Sequence, residues 1–356
     1  MEFQSLLITG GAGFVGSNLA VLFRERFPDV RVTVLDNLKR RGSEWNLPRL
    51  REAGVSFLHG DVRCEEDFEP VPDFDLLIDC AAEPSVHAGS QGSPRFVLNT
   101  NLSGTTNCLE LARQRGAAFL FLSTSRVYPI RALNELRFEE TDTRFRWTTR
   151  DSPPGISEHG VAESFPLQGA RSFYGASKLA GELLVQEYGE SCGMKTLVNR
   201  CGILTGPWQM GKVDQGVVAL WIARHHFKRP LTYLGFGGRG KQVRDLLHVR
   251  DLFDLIVLQM NSSDAWTGCV YNVGGGPDVS VSLRELTMLC EEVTGNRVPI
   301  DGDPQTNPLD VRIYETDSRR AQADFQWRPQ RSVESTVADI HDWVRRNESR
   351  LQSLPA

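Results

Sequence analysis

Residues 5–16 read Ser-Leu-Leu-Ile-Thr-Gly-Gly-Ala-Gly-Phe-Val-Gly, and no other stretch narrows the fold as much. An apolar run fit for a buried strand meets glycines at 10, 11, 13 and 16, and a helical apolar period follows. A strand, a turn too tight for side chains and a helix form the first half of a βαβ unit. The helix then aims its free N–H groups and positive dipole end at the space above the turn, which suits a phosphate. Gly10, Gly13 and Gly16 would serve the turn, the approach of backbone to a pyrophosphate and the packing of helix on strand. Asp36 closes the next apolar run, twenty residues after Gly16. A carboxylate there accepts from a ribose 2′-hydroxyl and repels a 2′-phosphate, so the expected cofactor is NAD rather than NADP.

The same rhythm continues. Strand-like runs are expected at 5–9, 31–36, 55–60, 75–81, 117–123 and 195–200, with helical periods at 17–25, 99–115 and 174–190. This alternation predicts an α/β fold, a Rossmann-type doubly wound parallel sheet, with ligands at the carboxyl ends of its strands. Segment 129–172 interrupts it with Pro153, Pro154, Pro166, Phe145 and Trp147. It reads as an ordered excursion beside the site or at a subunit contact, because aromatics argue against disorder. Beyond residue 200, a helix is expected over 217–227. Ser282 with Glu285 forms a capping box stopped by Gly295, and Val333, Val337, Ile340 and Val344 make a helical stripe. These pieces suit a smaller C-terminal α/β lobe for substrate. The 356 residues then divide into a cofactor domain over 1–200 plus about 240–260, and a lobe over about 201–239 and 261–356.

Charge and cysteine usage remove other classes. Forty basic against 45 acidic residues leave a net −5, which does not suit a nucleic-acid binder. The seven cysteines form no Cys-x-x-Cys pair, so reduced thiols in a cytoplasmic protein are expected and a zinc centre is not. His225 and His226, adjacent and therefore on different helix faces, read as a surface pair. No targeting segment or apolar run long enough for a membrane span is read.

Two further motifs carry chemistry. In Tyr174-Gly-Ala-Ser-Lys178 the phenol and ammonium share a helix face. Tyrosine, with a pKa of about 10, needs nearby positive charge to act as a base at neutral pH. Leu122-Ser123-Thr124-Ser125-Arg126-Val127-Tyr128 ends the fifth strand, where a small hydroxyl can bond a substrate oxygen.

With these motifs in this order, the chain resembles an extended short-chain dehydrogenase/reductase of the nucleotide-sugar epimerase/dehydratase family, over nearly its whole length. The resemblance implies catalytic roles for Thr124, Tyr174 and Lys178. It implies cofactor contacts from Gly10, Gly13, Phe14, Val15, Gly16, Asp36, Asn37, Arg40, Asp61, Val62, Ala81 and Ala82, and from Tyr174 and Lys178. The family's Asn-x-x-Gly-Thr is matched at Asn101, Gly104 and Thr105. Its phosphate-gripping arginine falls on Arg244 of Arg244-Asp-Leu-Leu-His-Val-Arg-Asp251, and substrate contacts are implied at Glu83, Thr124, Lys241, Arg244 and Arg312. The diphosphate would lie in a basic pocket of Lys241, Arg244 and Arg312.

Segments 36–42, 140–145, 214–216 and 240–245 are similar to the branch that inverts CDP-linked hexoses at C2. The 4,6-dehydratases carry Asp-Glu after the catalytic threonine, where this chain has Ser125-Arg126. The implied activity is an NAD-dependent nucleotide-sugar epimerase, a CDP-hexose favoured, with a 4-epimerase on the same fold as the alternative. A homodimer or homotetramer is implied too, with 99–115 and 174–190 as candidate interface helices.

Overall fold

The computed structural model describes residues 3–90, 92–148, 152–211 and 216–352. In it the glycine turn joins β1 (Ser5–Thr9) to α1 (Phe14–Arg26). Strands β2 (Arg31–Asp36), β3 (Ser56–His59), β4 (Leu76–Asp79) and β5 (Ala118–Thr124) follow. With strands Thr196–Cys201 and Thr267–Val273 they make a seven-stranded sheet, ordered β3-β2-β1-β4-β5 and then those two. All six pairings are parallel. The strand order reverses between β1 and β4, which opens the crevice where such sheets bind ligands.

Alternation along the strands decides what each face buries. Leu6, Ile8, Val34, Ile78 and Leu120 pack with Leu19 and Phe23 of α1 and with Phe253 and Ile256 of helix Val249–Met260. Leu7, Leu35, Leu77 and Phe119 pack on the opposite face with Leu109 and Val185. Both faces are covered, so the strands are apolar throughout rather than alternating with polar residues.

A smaller mixed sheet holds Ile203–Thr205, Val243–His248, Ser280–Ser282 and Ile313–Tyr314. Its membership corrects the expected boundaries. Thr267–Val273, expected in the lobe, is the edge of the large sheet, and Val243–His248, expected with the cofactor domain, is central in the small one. Helix Val249–Met260 does return to the large sheet, against α1.

The expected helix at 217–227 forms over Val217–His226, with His225 buried rather than at the surface. Its Nδ1 lies 2.8 Å from the Trp221 carbonyl, a helical back-bond that lets a polar ring face the core. The Ser282–Glu285 capping box forms with both of its hydrogen bonds. The excursion over 129–172 is built of helix Ile130–Asn134 and two hairpins, Phe138–Glu140 with Phe145–Trp147 and Ile156–Ser157 with Gly160–Val161. It buries Leu133, Val161 and Phe165 against Tyr128, Val311 and Tyr314, joining the end of β5 to the small sheet. Asp214 and Gln215 of segment 214–216 lie outside the described residues. No described helix is long and apolar enough to cross a membrane.

Candidate functional site

Two cavities meet above the carboxyl ends of β1, β4 and β5. The first, about 440 Å³, is lined by Gly10, Gly13, Phe14, Val15, Gly16, Asp36, Asn37, Arg40, Val62, Ala81, Ala82 and Glu83. Its floor tolerates no side chain. A Cβ on Gly10, whose φ is +62°, would sit 2.8 Å from the Cys80 carbonyl, and one on Gly16 would sit 2.5 Å from the Gly10 oxygen. Gly13 caps α1 without a side-chain hydrogen bond, and no acid lies in the helix's first turn. The amides there remain available to an anion. Asp36 braces the turn, its carboxylate accepting from the N–H of Ala12 at 3.1 Å and of Leu38 at 2.8 Å. Burial raises its pKa, while those amides counter the shift. A glycine floor, an uncapped helix start and a carboxylate at the end of β2 fit the pyrophosphate and ribose of a dinucleotide.

Asp61 does not line this cavity. It accepts from Asn37 Nδ2 at 2.9 Å and pairs with Arg63 at 2.6 Å, so it holds Asn37 in place. Hydrogen bonding to Arg63 puts its carboxyl well below the usual carboxylate range. Lys39 does line the cavity, with Nζ 3.7 Å above the ring of Phe96, another of its wall residues.

The second cavity, about 620 Å³, shares Phe14, Val15, Cys80, Ala82 and Pro84 with the first and extends to the small sheet. Thr124, Tyr174, Lys178, Arg126 and Arg244 all line it. Helix Phe173–Cys192 starts at Ser172, whose hydroxyl accepts from the Gly175 N–H and directs the first turn toward the cavity. Gly175 is needed there, because a Cβ would fall 2.1 Å from the Arg126 carbonyl. Lys178 is 2 % exposed, with Nζ 3.9 Å above the Phe121 ring. Burial lowers its pKa, and Asp79, held by Thr9 and Thr105, opposes that shift. Burial raises the Tyr174 pKa, and the Thr124 hydroxyl and Arg126 guanidinium oppose it. Asn101 buttresses the arrangement by bonding the Glu83 backbone and Ser177 Oγ.

The expected basic pocket is corrected in two of its three members. Lys241 does not line the cavity; its Nζ bonds Glu140 at 2.8 Å and the Thr141 carbonyl at 2.6 Å. Arg312 does not line it either, lying 4.0 Å over the Phe138 ring. Arg244 does line it, and the second cation beside it is Arg126. Burial and then Arg126 depress the Arg244 pKa to about 9. Two like charges held at one wall favour an anion between or above them. In the sequence Arg126 had signalled only a missing acid, and nothing in the chain order brings it to Arg244.

Comparison with known proteins agrees with this geometry. The model of the NAD dependent epimerase/dehydratase family matches residues 6–274. A CDP-paratose 2-epimerase of Salmonella typhi is 31 % identical, with 96 % of this chain and 99 % of that one covered. A dTDP-glucose 4,6-dehydratase of Mycobacterium tuberculosis is 29 % identical, over 98 % and 96 %. Among solved structures, the Thermus thermophilus UDP-glucose 4-epimerase in complex with NAD superposes with a TM-score of 0.76 at 28 % identity, covering 96 % of this chain and 99 % of that one. By its family match, its sheet and its glycine turn, the chain belongs to the NAD-dependent epimerase/dehydratase family of enzymes.

Proposed function

We propose that this enzyme is a nucleotide-sugar epimerase that inverts C2 of a CDP-linked hexose. The observation that carries the reading is Arg126 on the cavity wall two residues after Thr124, where a dehydratase needs an acid. A guanidinium stays charged at neutral pH and cannot hand a proton to a departing hydroxyl. The choice of base and carbon draws support from the 31 % identity to a CDP-paratose 2-epimerase across nearly the whole of both chains.

The chemistry that NAD supplies when bound is reversible acceptance of a hydride. Gly10, Gly13 and Gly16 would hold its pyrophosphate and Asp36 its adenine ribose. Tyr174 as phenolate takes the proton of the sugar hydroxyl, Thr124 bonds the same oxygen, and Lys178 would hold the nicotinamide ribose. Arg244 grips the diphosphate through charge-assisted hydrogen bonds while the sugar turns over. A ketone at C4 acidifies C3 and C5 and leaves C2 untouched, so inversion at C2 requires oxidation at C2 itself.

The test is product NMR after incubation with CDP-, UDP-, GDP- and dTDP-hexoses in deuterated water. The expected result is a C2-inverted CDP-hexose with no deuterium at C2, since that hydrogen travels as hydride. A C4-inverted product would select the 4-epimerase reading, and deuterium at C2 would overturn the hydride route.

A further inference from the structure

With Lys241 and Arg312 engaged elsewhere, Arg244 shares its cavity wall with a cation from a different part of the chain, Arg126. Both side chains are anchored on one short stretch. Arg126 Nη1 donates to the Leu309 carbonyl at 3.3 Å, and Arg244 Nη2 to the Val311 carbonyl at 2.5 Å. Two residues of chain span at most about 7 Å, so the anchor points lie close together. Arg244 Nη1 also donates to the Val243 carbonyl at 2.7 Å.

A carbonyl oxygen fixes the direction of a guanidinium without cancelling its charge. Elsewhere in the fold Arg200 meets Glu182 and Arg144 meets Glu285. Arg126 and Arg244 form no ion pair among the described residues and bond only carbonyls. Of its five N–H donors, Arg126 commits one. The charged residues lining the cavity are Arg126, Lys178, Arg224, Arg244 and, alone in sign, Asp310. Two neighbouring cations repel each other, and a ligand that brings one negative charge to each relieves the repulsion. The two bridging phosphates of a nucleotide sugar carry one negative charge apiece, and Arg–phosphate pairs are among the strong hydrogen bonds.

We infer that Arg126 and Arg244 form a two-armed clamp for a diphosphate, which makes Arg126 a substrate-binding residue and gives the site a preference for diphosphate over monophosphate. Arg126 follows Thr124 by two residues, and its backbone N–H donates to Thr124 Oγ1 at 3.2 Å, so its arm is the one beside the reacting sugar. Arg244, on the small sheet, takes the phosphate next to the nucleoside. The inference rests on the nucleotide-sugar reading and not on the choice of base or carbon.

The experiment is calorimetry of the NAD-loaded protein with CMP, CDP, UMP and UDP. Wild type should bind the diphosphate of the preferred base more tightly than its monophosphate. Arg126→Gln should weaken that diphosphate by about tenfold or more and leave the monophosphate within about twofold, so the preference collapses. Arg244→Gln should weaken both. Arg126→Met carries the same expectation and decides the matter if Arg126→Gln fails to fold. An unchanged diphosphate affinity with weakened CDP-hexose would make Arg126 a sugar contact and overturn the clamp, as would equal losses for monophosphate and diphosphate. If uridine nucleotides bind in place of cytidine nucleotides and their preference collapses, the proposed base falls and the clamp stands. Binding of none of the four overturns both.

Discussion

Replacing Glu182 with glutamine isolates what holds the reaction centre in place. Glu182 lies two turns after Tyr174 and one after Lys178 on the long helix, and is 1 % exposed. Arg200, 5 % exposed, grips it through Nε at 3.0 Å and Nη2 at 2.7 Å, and Ser123 Oγ donates to it at 2.5 Å. Arg200 also donates to the Tyr128 hydroxyl, which bonds Asn272. Glu182 therefore ties the helix bearing Tyr174 and Lys178 to strand Thr196–Cys201 through Arg200, and to the strand bearing Thr124 through Ser123. Glu182→Gln keeps the shape and leaves a buried guanidinium unpaired, at a cost of about 3–5 kcal/mol. With an unfolding entropy of about 2.1 cal/mol/K per residue, 356 residues give about 0.75 kcal/mol/K, so a loss of about 4 kcal/mol lowers Tm by about 5 °C. Urea and thermal unfolding measure this directly. The double variant Glu182→Leu with Arg200→Met removes both charges and should recover more than half of the loss, a coupling of about 2 kcal/mol or more. A cost below about 1 kcal/mol in the single variant, or strictly additive effects in the cycle, would refute the reasoning.

Two further outcomes follow from individual carboxylates. Asp36→Asn removes the charge while keeping an acceptor for the turn, and should shift the ratio of NAD to NADP affinity toward NADP by about tenfold, or about 1.4 kcal/mol; calorimetry with both dinucleotides that found an unchanged ratio would remove Asp36 from that role. Asp245 is fully buried, and burial lifts its pKa from 3.8 to about 6. Between those values the folded state holds a proton that the unfolded state has released, so this residue's contribution to stability falls as pH rises from about 4 to 6. The stability of Asp245→Asn relative to wild type should therefore grow across that window by up to roughly 3 kcal/mol and level off above it. Urea midpoints that run parallel across the window would count against it.

The first half of the fold was legible because β1, β2, β4 and β5 are short apolar runs closed by turn residues, and each feeds a helix. The edge strand Thr267–Val273 was not, since Thr-Gly-Cys-Val-Tyr-Asn-Val mixes polar and aromatic residues and lacks such a run. The small sheet was hidden for another reason. Its strands pair across long stretches of chain, as Val243 does with Ile313, and a two-residue strand such as Ile313–Tyr314 carries no period to read. In the site, glycines and the Tyr-x-x-x-Lys spacing act locally and survive reading from sequence. Lys241 and Arg312 show what does not. Charge is visible in a sequence, but the partner that claims it, Glu140 for one and the Phe138 ring for the other, is set by tertiary packing.

Gly202 alone separates a strand of the large sheet from a strand of the small one. A Cβ there would meet Thr316 Oγ1 at 3.0 Å and the Asp245 carboxylate at 3.2 Å. The chain leaves the large sheet at this residue, returns for Thr267–Val273, and leaves again for Ser280–Ser282. The halves are therefore stitched rather than hinged. A graft that moved only the sugar-facing lobe from a relative would have to cut the chain at each of these crossings. New substrate preference is more accessible by altering residues that already face the shared cavity than by exchanging a module, because no contiguous module exists to exchange.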